Sequence, residues 1–171
     1  RSALANKVFP TNLTGAWIDA SRGKFGYYLG AFSTAADTEF ADWDAGELYH
    51  ARVTYDLTDS TSFDKAEALV AFVYADHDNP TDTTIAFDWA ASAAFSAQQG
   101  RANYMANVIY GENRDDIAKA QSGNFWGLVL MPTYWITENR LEAVFRYQYA
   151  HASEAQGLRL NSRYARNAGA P

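Results

Sequence analysis

The chain has 171 residues, a length that suggests one domain, and it is 48% hydrophobic and 15% aromatic, which excludes disorder by composition. A net charge of −6 argues against nucleic acid and an anionic bilayer surface as partners, and the absence of cysteine excludes a disulfide framework and a thiolate metal site. No run of eighteen apolar residues occurs, so a transmembrane helix is excluded as well.

Taken in chain order, the apolar periodicity predicts eight strands. Thr14 to Ser21 alternates Ala16, Ile18 and Ala20 against Trp17, Asp19 and Ser21. Phe25 to Phe32 is rich in glycine and aromatic residues on both faces. Leu48 to Leu57 is the clearest segment. Tyr49, Ala51, Val53, Tyr55 and Leu57 share one face, and His50, Arg52, Thr54 and Asp56 the other. Glu67 to Ala75 is nearly apolar throughout, with Val70, Phe72 and Tyr74 assigned to the outward face. Thr84 to Ala97 places Ile85, Phe87, Trp89 and Phe95 opposite Asp88, Ser92 and Ser96. Arg101 to Tyr110 places Tyr104, Ala106, Val108 and Tyr110 opposite Asn103, Met105 and Asn107. Asn124 to Ile136 is a long segment in which Pro132 predicts a bulge or an irregular end. Leu141 to Tyr149 sets Leu141, Ala143, Phe145, Tyr147 and Tyr149 against Glu142, Val144, Arg146 and Gln148. On a helix these residues would scatter around the axis.

The strands run to roughly 8–14 residues, close to the ~9–11 needed to cross a bilayer at a tilt. Short connections alternate with longer acidic ones. The short ones are Arg22-Gly23-Lys24, Thr58 to Lys65, Gln98 to Gly100 and Thr137 to Asn139. The longer ones are Ser33 to Gly46, Asp76 to Thr83, Gly111 to Gly123 and the tail from His151. This is the rhythm of an up-and-down barrel. A soluble all-β domain alternates too, with its apolar face turned inward. Three features favour the membrane. The strands are long. Trp17, Tyr49, Tyr55, Tyr74, Tyr110, Trp135 and Tyr149 stand near strand ends, where interfacial girdles place them. The polar faces carry Arg52, Asp56, Glu67 and Arg146, which suits a wet lumen.

The expectation is therefore an all-β, antiparallel up-and-down transmembrane β-barrel, spanning residues 1–171 as part of a single domain. Eight strands can close a small barrel. Here the chain opens at Arg1-Ser2-Ala3-Leu4, ends in Asn167-Ala168-Gly169-Ala170-Pro171 and lacks a terminal aromatic residue. These features predict further strands before Arg1 and after Pro171.

Several segments resemble a known family. Arg1-Ser2-Ala3-Leu4-Ala5-Asn6 with Phe9-Pro10 and Thr14-Gly15, the hairpin arm Gly26-Tyr27-Tyr28-Leu29-Gly30-Ala31-Phe32, and Arg146-Tyr147-Gln148-Tyr149-Ala150 followed by Gly157-Leu158-Arg159-Leu160-Asn161-Ser162-Arg163-Tyr164 are similar to the phosphate-selective porin O and P family. The motifs are glycine–aromatic hairpins, with no catalytic signature among them. The resemblance implies a sixteen-stranded, usually trimeric porin of the bacterial outer membrane, with an anion-preferring channel lined by basic side chains. Its partners would be small anionic or hydrophilic solutes, outer-membrane lipid and two further copies in a homotrimer. This chain departs from that pattern in being acidic overall, and the family's phosphate-binding residues do not map onto it.

The residues predicted to line the pore are His50, Arg52, Thr54, Asp56, Arg146 and Gln148. Inward guanidiniums in a narrow aqueous pore attract anions and release them readily. The competing structural role is a wall brace, in which each arginine pairs with a carboxylate such as Asp56, Glu67 or Glu142. Asp42, Asp44 and Glu47, and likewise Asp76, Asp78 and Asp82, lack EF-hand spacing and read as solvated loop acids, as do Glu39, Asp115 and Asp116. His50, His77 and His151 form no zinc motif, and no nucleophile elbow or phosphate loop occurs, so neither a cofactor nor an enzymatic activity is expected. Two other readings stay open. One is an outer-membrane barrel serving adhesion or surface-layer anchoring. The other is a soluble all-β binding module.

Overall fold

A computed structural model describes residues 13–36, 46–77, 85–116, 119–138 and 140–158. The fold is all-β. Among the described residues ten strands run as β1 (Leu13–Arg22), β2 (Phe25–Ala36), β3 (Glu47–Asp56), β4 (Lys65–Ala75), β5 (Phe87–Gln99), β6 (Ala102–Asn113), β7 (Asn124–Leu130), β8 (Thr133–Thr137), β9 (Leu141–Val144) and β10 (Tyr147–Ala152). They form one antiparallel sheet in the order β1-β2-β3-β4-β5-β6-β7-β10, with β8 pairing β6 and β9. Each strand pairs with its sequence neighbour along most of the path, the up-and-down topology expected from the connections. The described sheet does not close on itself. β1 and β10 each have one partner in it.

Ten strands replace the eight expected because two long segments are broken. β7 and β8 are the halves of the segment from Asn124, parted at Met131-Pro132. Proline has no N–H to give a ladder and sets its own φ. The break is nonetheless hydrogen-bonded. Met131 N donates to Met105 O at 2.8 Å, and Phe145 N donates to Pro132 O at 3.1 Å. The facing segment breaks opposite it, so β9 and β10 are separated by Phe145-Arg146. Leu141 to Tyr149 is therefore not one strand, and Arg146 lies between two strands rather than on a continuous face.

Two hairpins turn in two residues, at Gly23-Lys24 and Gly100-Arg101, where the glycines have φ of 60° and 54°, in the left-handed region that a side chain disfavours. Lys24 reaches Asp59 of the next short connection at 3.1 Å.

Residues paired in register share a face, so the pairings define the two faces. One row reads Ala20, Tyr27, Val53, Val70, Ala93, Val108, Leu128, Tyr149 across eight strands. The next reads Ile18, Leu29, Ala51, Phe72, Ala91, Tyr110, Trp126, His151. This aromatic–aliphatic face is open: Leu29 is 63% exposed, Val70 61% and Val108 49%.

The opposite face is mixed, and its character changes along the strands. Toward the long connections it is apolar and closed. Leu48, Val73, Ala75, Ile85, Phe87, Ala90, Ile109 and Phe125 form a buried cluster, with Leu13, Phe32, Ala152 and Leu158 packed against it. The Phe125 ring lies over Gly111, where a Cβ would meet it at 2.5 Å. Ile85 and Phe87 belong to this cluster, whereas the alternation had grouped them with Trp89. The reason is a register shift between Phe87 and Trp89, an irregularity that turns the chain over at that point. Toward the short connections the mixed face becomes more polar, with Asp56, Glu67 and Ser96 in one row beside Met105.

Candidate functional site

The residues predicted to line a pore all belong to β3, β10 and the break before β10. His50 sits in the row of Trp17, Gly30 and Val73, and Arg52 in the row of Asp19, Tyr28 and Ala71. Thr54 and Gln148 fall in one row, linked through Leu69, Ala94, Asn107 and Val129. Asp56 comes next along β3, opposite Glu67, and its carboxylate accepts from Thr58 N at 2.9 Å. The side-chain alternation of β3 thus places His50, Arg52, Thr54 and Asp56 together on the mixed face. Along the sheet they stand apart from Arg146 and Gln148, although Asp56 and Arg146 border the same groove. Five strand steps separate β3 from β10, roughly 24 Å along the sheet.

Around Arg52 the structure assembles a group that alternation alone did not show. Its guanidinium lies over the Tyr28 ring, 5.0 Å from the centroid, and Nη2 donates to Asp19 Oδ2 at 3.3 Å. The Tyr28 ring in turn lies 4.9 Å from that of His50. Arg52 therefore takes the brace role weighed from sequence, but with Asp19 in place of Asp56, Glu67 or Glu142. No signal within β3 could identify Asp19, which lies 33 residues away and two strands across the sheet.

Arg146 is placed differently. Its described polar contact is from Nη2 to Met131 Sδ at 3.6 Å, and no ion pair involves it among the described residues. It borders an open groove of about 1080 Å³ at the short-connection end of the mixed face, with Glu67, Gln98, Asn103, Thr133 and Glu142 among its walls. This groove is where the mixed face offers space to a polar solute.

The acidic groups read as solvated loops are only partly in view. Asp42, Asp44, Glu39, Asp78 and Asp82 lie outside the described residues. Asp116 pairs with Arg114, whose guanidinium holds its carboxyl below the usual carboxylate range. No group of three or more potential metal ligands occurs among the described residues.

On the opposite face, the aromatic rings fall toward the two ends of the strands. Tyr49, Tyr74 and Trp89 form one row near the long connections, with the Trp89 ring 6.2 Å from Phe72 and 5.5 Å from Tyr110. Trp89 Nε1 donates to Glu112 at 3.0 Å. Near the short connections, Phe25 packs on Tyr55 at 4.7 Å, and Phe63 folds against Phe95 and Tyr104, each at 6.1 Å. Between these bands lies the row that is aliphatic from β3 to β7, through Val53, Val70, Ala93, Val108 and Leu128, with Tyr27 and Tyr149 flanking it on β2 and β10. Tyr49, Tyr55, Tyr74, Tyr110 and Tyr149 are on this face. Trp17 is not: it pairs with Gly30 in the row of His50, on the mixed face. Trp135 alternates with exposed Tyr134 and Ile136 and shares the side of Thr133, again the mixed face.

No known protein family, curated protein or solved structure matches this chain.

Proposed function

We propose that this chain forms part of the wall of an outer-membrane β-barrel, and that the barrel is a porin passing small hydrophilic solutes down their gradient. The observation that carries the reading is the open aromatic–aliphatic face. Seven strand steps of ~4.8 Å by three two-residue steps of ~6.7 Å give an area on the order of 700 Å². The largest apolar patch on a soluble monomer is about 300–600 Å². An aliphatic middle between two aromatic bands is the arrangement that suits hydrocarbon flanked by headgroups. β1 to β6 are 10–13 residues long, enough to cross a bilayer when tilted. Unpaired edges are costly in hydrocarbon, so in this reading further strands complete the barrel beside β1 and β10. The mixed face then looks inward, with its polar end toward the short turns.

One observation favours a second reading. The buried cluster on the mixed face is what a soluble β-sheet module would use as its core, and it is not the uniformly wet lumen expected from sequence. That reading leaves the opposite face without a function.

Conductance separates the two. The full-length protein, with the strands that complete the barrel beside β1 and β10, folded in detergent and added to a planar bilayer, is expected to give discrete single-channel steps and to show heat-modifiable gel migration. A monodisperse protein without detergent, giving no conductance, would establish the soluble module instead.

A further inference from the structure

Asp19, Tyr28 and Arg52 occupy one row on β1, β2 and β3, so the tyrosine stands between the two charges. Two strand spacings, about 10 Å, separate the backbones that carry those charges. The guanidinium crosses this gap over the Tyr28 ring and ends 3.3 Å from Asp19 Oδ2. The Tyr28 ring also packs at a tilt against that of His50, 4.9 Å away. The pair is not buried: its side chains are 37% and 61% exposed, on the mixed face. An exposed pair of this kind adds little to stability. Its effect on a passing ion is larger, because a guanidinium held against a carboxylate presents almost no net charge beyond a few ångströms.

We propose that Asp19 is a specificity-determining residue of the passage, holding and neutralising Arg52 across Tyr28 so that the wall favours small cations over anions. The inference rests on the porin reading above and names the solute class for the same face. The surrounding balance agrees with it. The chain carries a net charge of −6, and the groove at the short-connection end of the mixed face sets Asp56, Asp64, Glu67 and Glu142 against Lys65 and Arg146. With Arg52 cancelled, the anion attraction expected of an inward arginine is withdrawn from the β1–β3 part of the wall.

The test is the reversal potential of the full-length protein in a planar bilayer under a KCl gradient. Wild-type protein is expected to favour potassium. Asp19→Asn uncovers one positive charge, which acts with opposite sign on the two ions. At about 10 Å in water this raises the chloride-to-potassium permeability ratio roughly fourfold. Asp19→Ser gives the same shift by a different side chain, in case one variant folds poorly. Arg52→Gln moves the ratio the other way, and the Asp19→Asn/Arg52→Gln double variant returns close to wild type. Heat-modifiable migration confirms that each variant is folded. Anion-selective wild-type channels would overturn the inference. So would folded, conducting Asp19 variants that leave the ratio unchanged while Arg52→Gln shifts it. Absence of conductance from folded wild-type protein would overturn the porin reading itself, and this inference with it.

Discussion

Phe125→Ala is expected to destabilise the fold by about 3–5 kcal/mol, the range for removing a buried aromatic ring. Phe125 is fully buried, and its ring covers Gly111, which has no side chain to fill the space left behind. Its row partners across β5 and β6 are Ala90 and Gly111, both too small to collapse into the gap. The loss should appear in equilibrium urea unfolding as a lower midpoint with an unchanged slope. An effect under about 1 kcal/mol would mean that the mixed face is solvated at this point, contrary to its burial.

The second large effect belongs to the opposite face. Val108 stands in the aliphatic row between the aromatic bands, on the long central strand β6, and is 49% exposed. Val108→Arg is expected to cost about 2–4 kcal/mol when the protein is folded into lipid, because it places a charge near the bilayer midplane. On a surface facing water the same change would stay within about 0.5 kcal/mol. Refolding into vesicles across a denaturant series measures the difference. The pair of substitutions therefore assigns a solvent to each face: Phe125 reports a closed interior, and Val108 reports what lies outside.

Much of this architecture could be read from period-two alternation. β3 was the most legible, since Tyr49, Ala51, Val53 and Tyr55 alternate without interruption with His50, Arg52 and Thr54; β6 was legible in its middle, but Met105 and Ile109 blur its second face, and it runs past Tyr110 to Asn113. The alternation of short and long connections also revealed the up-and-down order. What could not be read depends on register and on depth. The irregularity between Phe87 and Trp89 reverses the face of Phe87 without any change in residue type to mark it. Pro132 marked the break in its own segment, but the matching interruption at Phe145-Arg146 arises from a strand that must follow the bend opposite it. The gradient along the mixed face, apolar at Val73 and polar at Glu67, emerges only when eight strands are laid side by side. Asp19 escaped notice for the same reason, because an ion pair across two strands leaves no local pattern. Trp17 and Trp135 show the converse. Position near a strand end suggested a girdle, while their parity placed them on the other face.

The central claim is that the aromatic–aliphatic face meets hydrocarbon. The most direct measurement is quenching of a single-tryptophan protein that retains Trp126, which is 40% exposed on that face, in vesicles whose acyl chains carry bromine. Strong quenching by the brominated lipid and weak quenching by iodide in the water are expected, with the reverse for a protein that retains Trp17 alone. Trp126 emission untouched by brominated lipid and quenched by iodide would contradict it.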